Sequence, residues 1–192
     1  MKMLPILSLA LACATTTTAH ADARADLMAS FEQAMAQKSY RAKSTSEVRG
    51  QAMTSTIAAQ PPDRFHMTSP ESEVIIVPGG SWMKQGGQWM KLPMDMSAMV
   101  KGMTLAAMKD SANLVQDVKE LGSADVNGCD SKTYAYHSSG KVMGVSVEAD
   151  VEVAICGETG LPVRIVSVDT KQKSRTVVDY DYAAAVNIQA PN

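Results

Sequence analysis

The stretch RFHMTSPESEVIIVPGGSWMKQGGQWMKL, residues 64–92, decides the fold. Ser69-Pro70-Glu71, Pro78-Gly79-Gly80 and Gly86-Gly87 cut it into short pieces, and clusters of this kind mark turns. The pieces are Arg64–Ser69, Glu73–Val77, Ser81–Gln85 and Gln88–Leu92. Each has strand length, and together they carry Phe, Val, Ile and Trp, residues that suit a pleated surface. Consecutive strands joined by tight turns run antiparallel, so the stretch reads as a meander.

The same rhythm extends on both sides. From Ser39 to Arg49, one face carries Arg41, Lys43, Thr45, Glu47 and Arg49, and the other Tyr40, Ala42, Ser44, Ser46 and Val48. That is period two with a charged outer face and a less polar inner one. After Gly50, Gln51–Gln60 forms another strand, ended by Pro61-Pro62. Strands resume at Leu114–Leu121, Cys129–His137, Gly144–Cys156, Val163–Thr170 and Arg175–Tyr182. Two segments break the rhythm. Asp22–Lys38 reads as a helix capped by Asp22, with Leu27, Phe31, Ala34 and Met35 on one stripe and Lys38 at its C-terminal end. Met94–Ala112 places Met96, Met99, Val100, Met103, Ala107 and Met108 at roughly helical spacing, which predicts a mobile helical lid. Gly102 weakens that helix by about 1 kcal/mol relative to Ala. The expectation is a mainly β (α+β) chain of about 10–11 antiparallel strands, with an N-terminal helix and a helical lid.

The first residues set the compartment. Lys2 precedes the apolar run Met3–Ala14, and Ala19-His20-Ala21 forms a small-x-small cleavage site. Residues 1–21 therefore read as a secretory signal peptide, leaving 22–192 as a single domain in the periplasm. Cys13 follows Leu11-Ala12, but Ala10 stands where a lipidation site favours Leu, so lipidation is not expected. Without residues 1–21 the formal charge is −3, from 17 basic and 20 acidic residues. No basic excess points to nucleic acid. No second apolar run is long enough to span a bilayer, so an integral membrane protein is not expected. We expect a monomer.

Cys129 and Cys156 remain in the mature chain, and an even count in an oxidising compartment favours a disulfide. Placing them opposite each other aligns Tyr134 with Val151, Tyr136 with Ala149, Thr133 with Glu152 and His137 with Glu148. Polar then meets polar on one face, which holds both cysteines, and Tyr meets aliphatic on the other. The bond would close a loop of about 28 residues, worth roughly 3 kcal/mol in the chain-entropy treatment.

One resemblance covers the whole mature chain. Gln60-Pro61-Pro62-Asp63-Arg64-Phe65-His66-Met67 opens it, followed by Glu73-Val74-Ile75-Ile76-Val77, a Gly pair and Trp82. Val126-Asn127-Gly128, Thr159-Gly160-Leu161-Pro162 and a closing Val177-Val178-Asp179-Tyr180-Asp181-Tyr182 complete it. The pattern resembles the periplasmic lipoprotein-carrier superfamily of LolA, LolB and LppX-type proteins. The resemblance implies an unclosed β-barrel, a half-pipe whose concave face takes acyl chains of lipoproteins or other lipids under a helical cover. Gln60 stands where the lipoprotein chaperone of that family carries an Arg that helps control lid opening.

Seven methionines lie between residues 83 and 108: Met83, Met90, Met94, Met96, Met99, Met103 and Met108. Unbranched, polarisable Met adapts to an irregular ligand, and also to ordinary core packing. Trp82, Met90, Met96, Met99, Met103, Tyr134 and Tyr136 are the candidates for cavity and lid. Met94-x-Met96-x-x-Met99 offers soft sulfur ligands for Cu(I), a second reading. His66 and His137 lie in strands outside any metal-ligand spacing, and Asp179-x-Asp181 reads as a solvated outer face. No nucleophile elbow, phosphate-binding glycine loop, zinc-binding helix motif or redox Cys pair occurs. The sequence therefore predicts a non-catalytic binding protein with no cofactor, whose partner is a lipid or lipoprotein acyl chain. An envelope protein partner, in an assembly role, is the third reading.

Overall fold

The computed structural model describes residues 18–94, 96, 112–142, 145–169 and 171–191. Helix α1 spans Thr18–Met35. The strands are β1 (Tyr40–Val48), β2 (Gln51–Gln60), β3 (Arg64–Thr68), β4 (Glu73–Val77), β5 (Gly80–Gln85), β6 (Gln88–Lys91), β7 (Val115–Val126), β8 (Cys129–Val142), β9 (Val145–Cys156), β10 (Pro162–Asp169) and β11 (Ser174–Asp181). A single 3₁₀ turn, Ala112–Leu114, precedes β7. All eleven expected strands form. The lid segment expected over Met94–Ala112 lies largely outside the described residues.

The strands build one antiparallel sheet in the order β6-β5-β4-β3-β2-β1-β11-β10-β9-β8-β7. Among the described residues the two end strands, β6 and β7, do not pair with each other, so the barrel is unclosed. The sheet curls toward one face. Tyr136 on β8 and Tyr180 on β11 share that face by the register of β8 through β11.

Helix α1 starts four residues before the predicted Asp22, which is therefore inside the helix and does not cap it. The helix ends at Met35, so Lys38 lies beyond it. Ala23, Leu27, Ser30 and Ala34 form its buried stripe, and Leu27 packs with Tyr134, Val151 and Val153. Arg24 ties the helix to the start of β7 by donating to the carbonyls of Ala112 and Val115. At the other end, Gln33 Nε2 donates to the Thr159 carbonyl at 2.7 Å.

The disulfide Cys129–Cys156 is formed, with Cα atoms 5.6 Å apart. The register differs from the expected one by two residues. Ser131, and not Cys129, stands opposite Cys156, and Tyr134 pairs with Val153, Tyr136 with Val151 and His137 with Asp150. The cysteines thus bridge diagonally, at the point where β8 has just left its turn and pairs Val126 on β7. A shift of two leaves every side chain on its expected face, because the side-chain period is two. No helix among the described residues is long and apolar enough to cross a membrane.

Candidate functional site: the concave trough

Register and alternation together define what lines the trough. Across the middle of the sheet, Ile57, Ala42 and Tyr180 stand side by side, as do Ser44, Val178, Ile165, Val153 and Tyr134. Two apolar clusters share this face. Beside α1 lie Val118, Tyr134, Ala149, Val151, Val153 and Ile155, with Tyr136 and Ile165 against them. On the other wing lie Ala59, Phe65, Val74 and Ile76, with Tyr40, Ile57, Met67, Met83 and Met96 against them.

All five tyrosines of the chain face this trough. Tyr180 and Tyr182 stack with centroids 5.9 Å apart, and Tyr40 tilts against both at 6.1 Å. Burial pushes the phenols of Tyr136 and Tyr180 up to about 12. Tyr134 also rises to about 12, first through burial and then through the Asp26 carboxylate, to which its hydroxyl donates at 3.2 Å. Burial, with Tyr180 and Tyr40 alongside, drives Tyr182 up as well. Its hydroxyl is buried with no hydrogen-bond partner among the described residues. Burial keeps these phenols neutral at ordinary pH.

The candidate residues separate as follows. Tyr134 and Tyr136 lie in the trough. Met96 packs against the second cluster, and its amide donates to Ser81 Oγ at 3.2 Å. Met90 stands opposite Met83 at the β6 edge, half-exposed on the same face. Met99 and Met103 lie outside the described residues, as does Met108. Trp82 is not in the trough. It stands opposite Ile75 and Lys91, one residue out of phase with Met83, and so points to the back of the sheet. There Trp82 and Trp89 pack with Ile75, Val77 and the chain end at Val186 and Ile188. Lys91 and Lys84 sit over the two indole rings, at 5.4 and 5.6 Å. For the copper reading, Met94 is well exposed whereas Met96 is packed inward. Among the described residues, no three His, Cys, Asp or Glu side chains converge as a metal site.

The back face also holds His66, which bonds Glu73 at 2.9 Å, and His137, which bonds Asp150 at 2.9 Å. Asp179 is taken by Arg164 and Asn127, and Asp181 caps the Ala183 and Ala184 amides, so both have structural roles. Gln60 accepts from the Ile188 amide at 2.7 Å, and Arg64 donates to the Ile188 carbonyl at 2.9 Å. Gln60 thereby straps the chain end to the back of the sheet. Tyr40, which its strand's alternation put on the inner face, and Phe65, Tyr180 and Tyr182 were not among the cavity candidates, although the alternation of their own strands carried the signal.

This geometry defines a class: a strongly curved, unclosed antiparallel half-barrel with an apolar inner face partly covered by a helix. Solved structures of that class superpose on the chain over most of its length. LppX, a lipoprotein of Mycobacterium tuberculosis, matches with a TM-score of 0.66 and 11% identity, over 88% of this chain and 99% of that one. LprF from Mycobacterium bovis matches with a TM-score of 0.64 and 12% identity, over 89% and 97%. MucB, in the MucA/MucB complex of Pseudomonas aeruginosa, matches with a TM-score of 0.54 and 18% identity over 88% of this chain and 61% of that one. The chain therefore has the fold of LppX and LprF, within the resemblance that the sequence pattern suggested. No protein-family model matches the sequence, and no curated protein matches it.

Proposed function

We propose that this protein is a non-catalytic carrier that shields the acyl part of a lipid or lipoprotein in its concave trough. The observation that carries the reading is the continuous apolar inner face, from Val118 and Val153 through Tyr180 to Ile57, Phe65 and Ile76, in a sheet that does not close. Helix α1 lies over the wing built from β7 to β10, and the second wing buries Ala59, Phe65, Val74 and Ile76 with Met96 against them. The likeness to LppX and LprF supports the same reading at the level of fold. Binding would draw on roughly 0.8 kcal/mol per buried methylene. We place the protein in the periplasm, on the signal-peptide reading of residues 1–21. The test is a titration with the uncharged fluorescent probe N-phenyl-1-naphthylamine, alongside native mass spectrometry of protein purified without detergent. Saturable probe binding and a lipid mass adduct are expected. Absence of both ends the carrier reading, and a copper adduct in their place promotes the methionine reading.

A further inference from the structure

The trough is polarised along its length. At its inner end, the row across β11, β1 and β2 is Tyr180, Ala42 and Ile57. One step further, Val178, Ser44 and Ser55 stand side by side, and one step beyond that Thr176, Ser46 and Met53. Ser167 on β10 extends this last row beside Thr176, and the Ser46 and Thr176 hydroxyls bond at 3.0 Å. The inner face thus changes from aromatic and aliphatic to hydroxyl-bearing as it approaches the β1–β2 and β10–β11 turns.

At those turns the face opens into a cleft of about 1220 Å³, lined among others by Ser46, Val48, Arg49, Met53, Glu71 and Lys173. Val48 and Met53 are 46% and 53% exposed, so apolar surface reaches out to the charged rim. Lys171, also at the rim, is held by Glu148. Arg49 and Lys173 make no ion pair among the described residues, and Glu71 is the single carboxylate among the described lining residues.

The backbone sharpens the point. Arg49 and Gly50 have φ of 53° and 79°, nearly the values of Asn127 and Gly128, 55° and 78°, in the β7–β8 turn. This left-handed pair strongly favours Asn-Gly, as found at the second site. Lys173, at φ 52°, closes the β10–β11 turn in the same disfavoured region. Local folding therefore does not ask for a cation at either position, and both cations project at one end of the trough.

We infer that the ligand is an anionic amphiphile, bound with its acidic head between Arg49 and Lys173 and its apolar tail running inward past Ser46 and Ser44 toward Tyr180 and Ile57. This rests on the carrier reading and names the ligand's chemistry and orientation. A free anion lacks the tail that the rest of the trough is built to cover, and two cations on exposed turns hold a small anion only weakly.

The test measures displacement of N-phenyl-1-naphthylamine by oleate and by oleyl alcohol, which share a tail and differ in the charge of the head. It uses the unaltered protein and the double variant Arg49→Asn/Lys173→Asn. Asparagine suits the left-handed backbone, so the variant keeps the turns and its thermal midpoint should not fall. Oleate is expected to bind about fivefold more tightly than the alcohol at low salt, from two exposed charge contacts. The variant should lose that preference while binding the alcohol unchanged. Equal affinity of the two probes in the unaltered protein overturns the proposal and leaves the carrier reading intact. So does a variant that keeps the preference. Competition by inorganic phosphate as strong as by oleate would show a free-anion site and overturn it too. Failure of dye, oleate and alcohol alike to bind sinks the carrier reading, and this proposal with it.

Discussion

Two tyrosines on the same face should respond in opposite directions to the loss of one oxygen atom. Tyr134 is buried and donates to Asp26 at 3.2 Å, whereas the Tyr182 hydroxyl is buried without a partner among the described residues. Tyr134→Phe removes a hydrogen bond to a charged group and should cost about 1.5 kcal/mol, the low end of the range because Asp26 itself is exposed to water. Tyr182→Phe removes a desolvated, unpaired hydroxyl and keeps the ring against Tyr180 and Tyr40, and should stabilise by about 1 kcal/mol. The two variants should therefore differ by about 2.5 kcal/mol, although their chemistry is identical. Urea unfolding followed by circular dichroism measures this, with the midpoints moving apart and the slopes unchanged. If Tyr182→Phe lowers the midpoint as far as Tyr134→Phe does, the Tyr182 hydroxyl has a partner in solution and the reasoning is refuted.

Further outcomes follow from the same structure. Replacing Cys129 and Cys156 by Ser should lower stability by roughly 3 kcal/mol, since the bond joins residues 27 apart in sequence, and reduction of the unaltered protein should match it in a urea melt. Tyr134, Tyr136 and Tyr180 all have folded pKa values raised to about 12, above the ordinary value of 10. Their contribution is complete below pH 10 and is lost as pH rises through 12; a urea midpoint that stays flat across that window would contradict the burial of these phenols. Ile188→Ala should cost about 2 kcal/mol by loosening the chain end from the back of the sheet, yet leave N-phenyl-1-naphthylamine binding unchanged, and a weakened probe affinity would mean the two faces are coupled.

The strands were legible because two signals agreed. Alternation assigned faces, as in Tyr40 to Val48, and a Gly or Pro marked most of the turns, though not the one between β10 and β11. The register of β8 on β9 was not legible, because a disulfide spans either a directly opposed or a diagonal pair and the spacing alone does not distinguish them. Tyr134 and Tyr136 lie on the face that their own alternation assigns them. Trp82, a cavity candidate, lies on the back of the sheet, as its parity relative to Met83 requires. Aromatic size carries no information about face; phase does. The strap at Gln60 and Arg64 left no local signal at all, since its partner Ile188 lies more than a hundred residues away.

The separation of aromatic types has a spectroscopic consequence. Every tyrosine lies on the inner face, and both tryptophans lie on the outer one beneath the chain end. Each face thus carries its own chromophore. A ligand entering the trough should alter phenol absorbance and tyrosine emission, while peeling of the chain end should shift indole emission. Phenol absorbance then follows the trough, and indole emission excited at its red edge, where phenols do not absorb, follows the back face, in one cuvette and without a label.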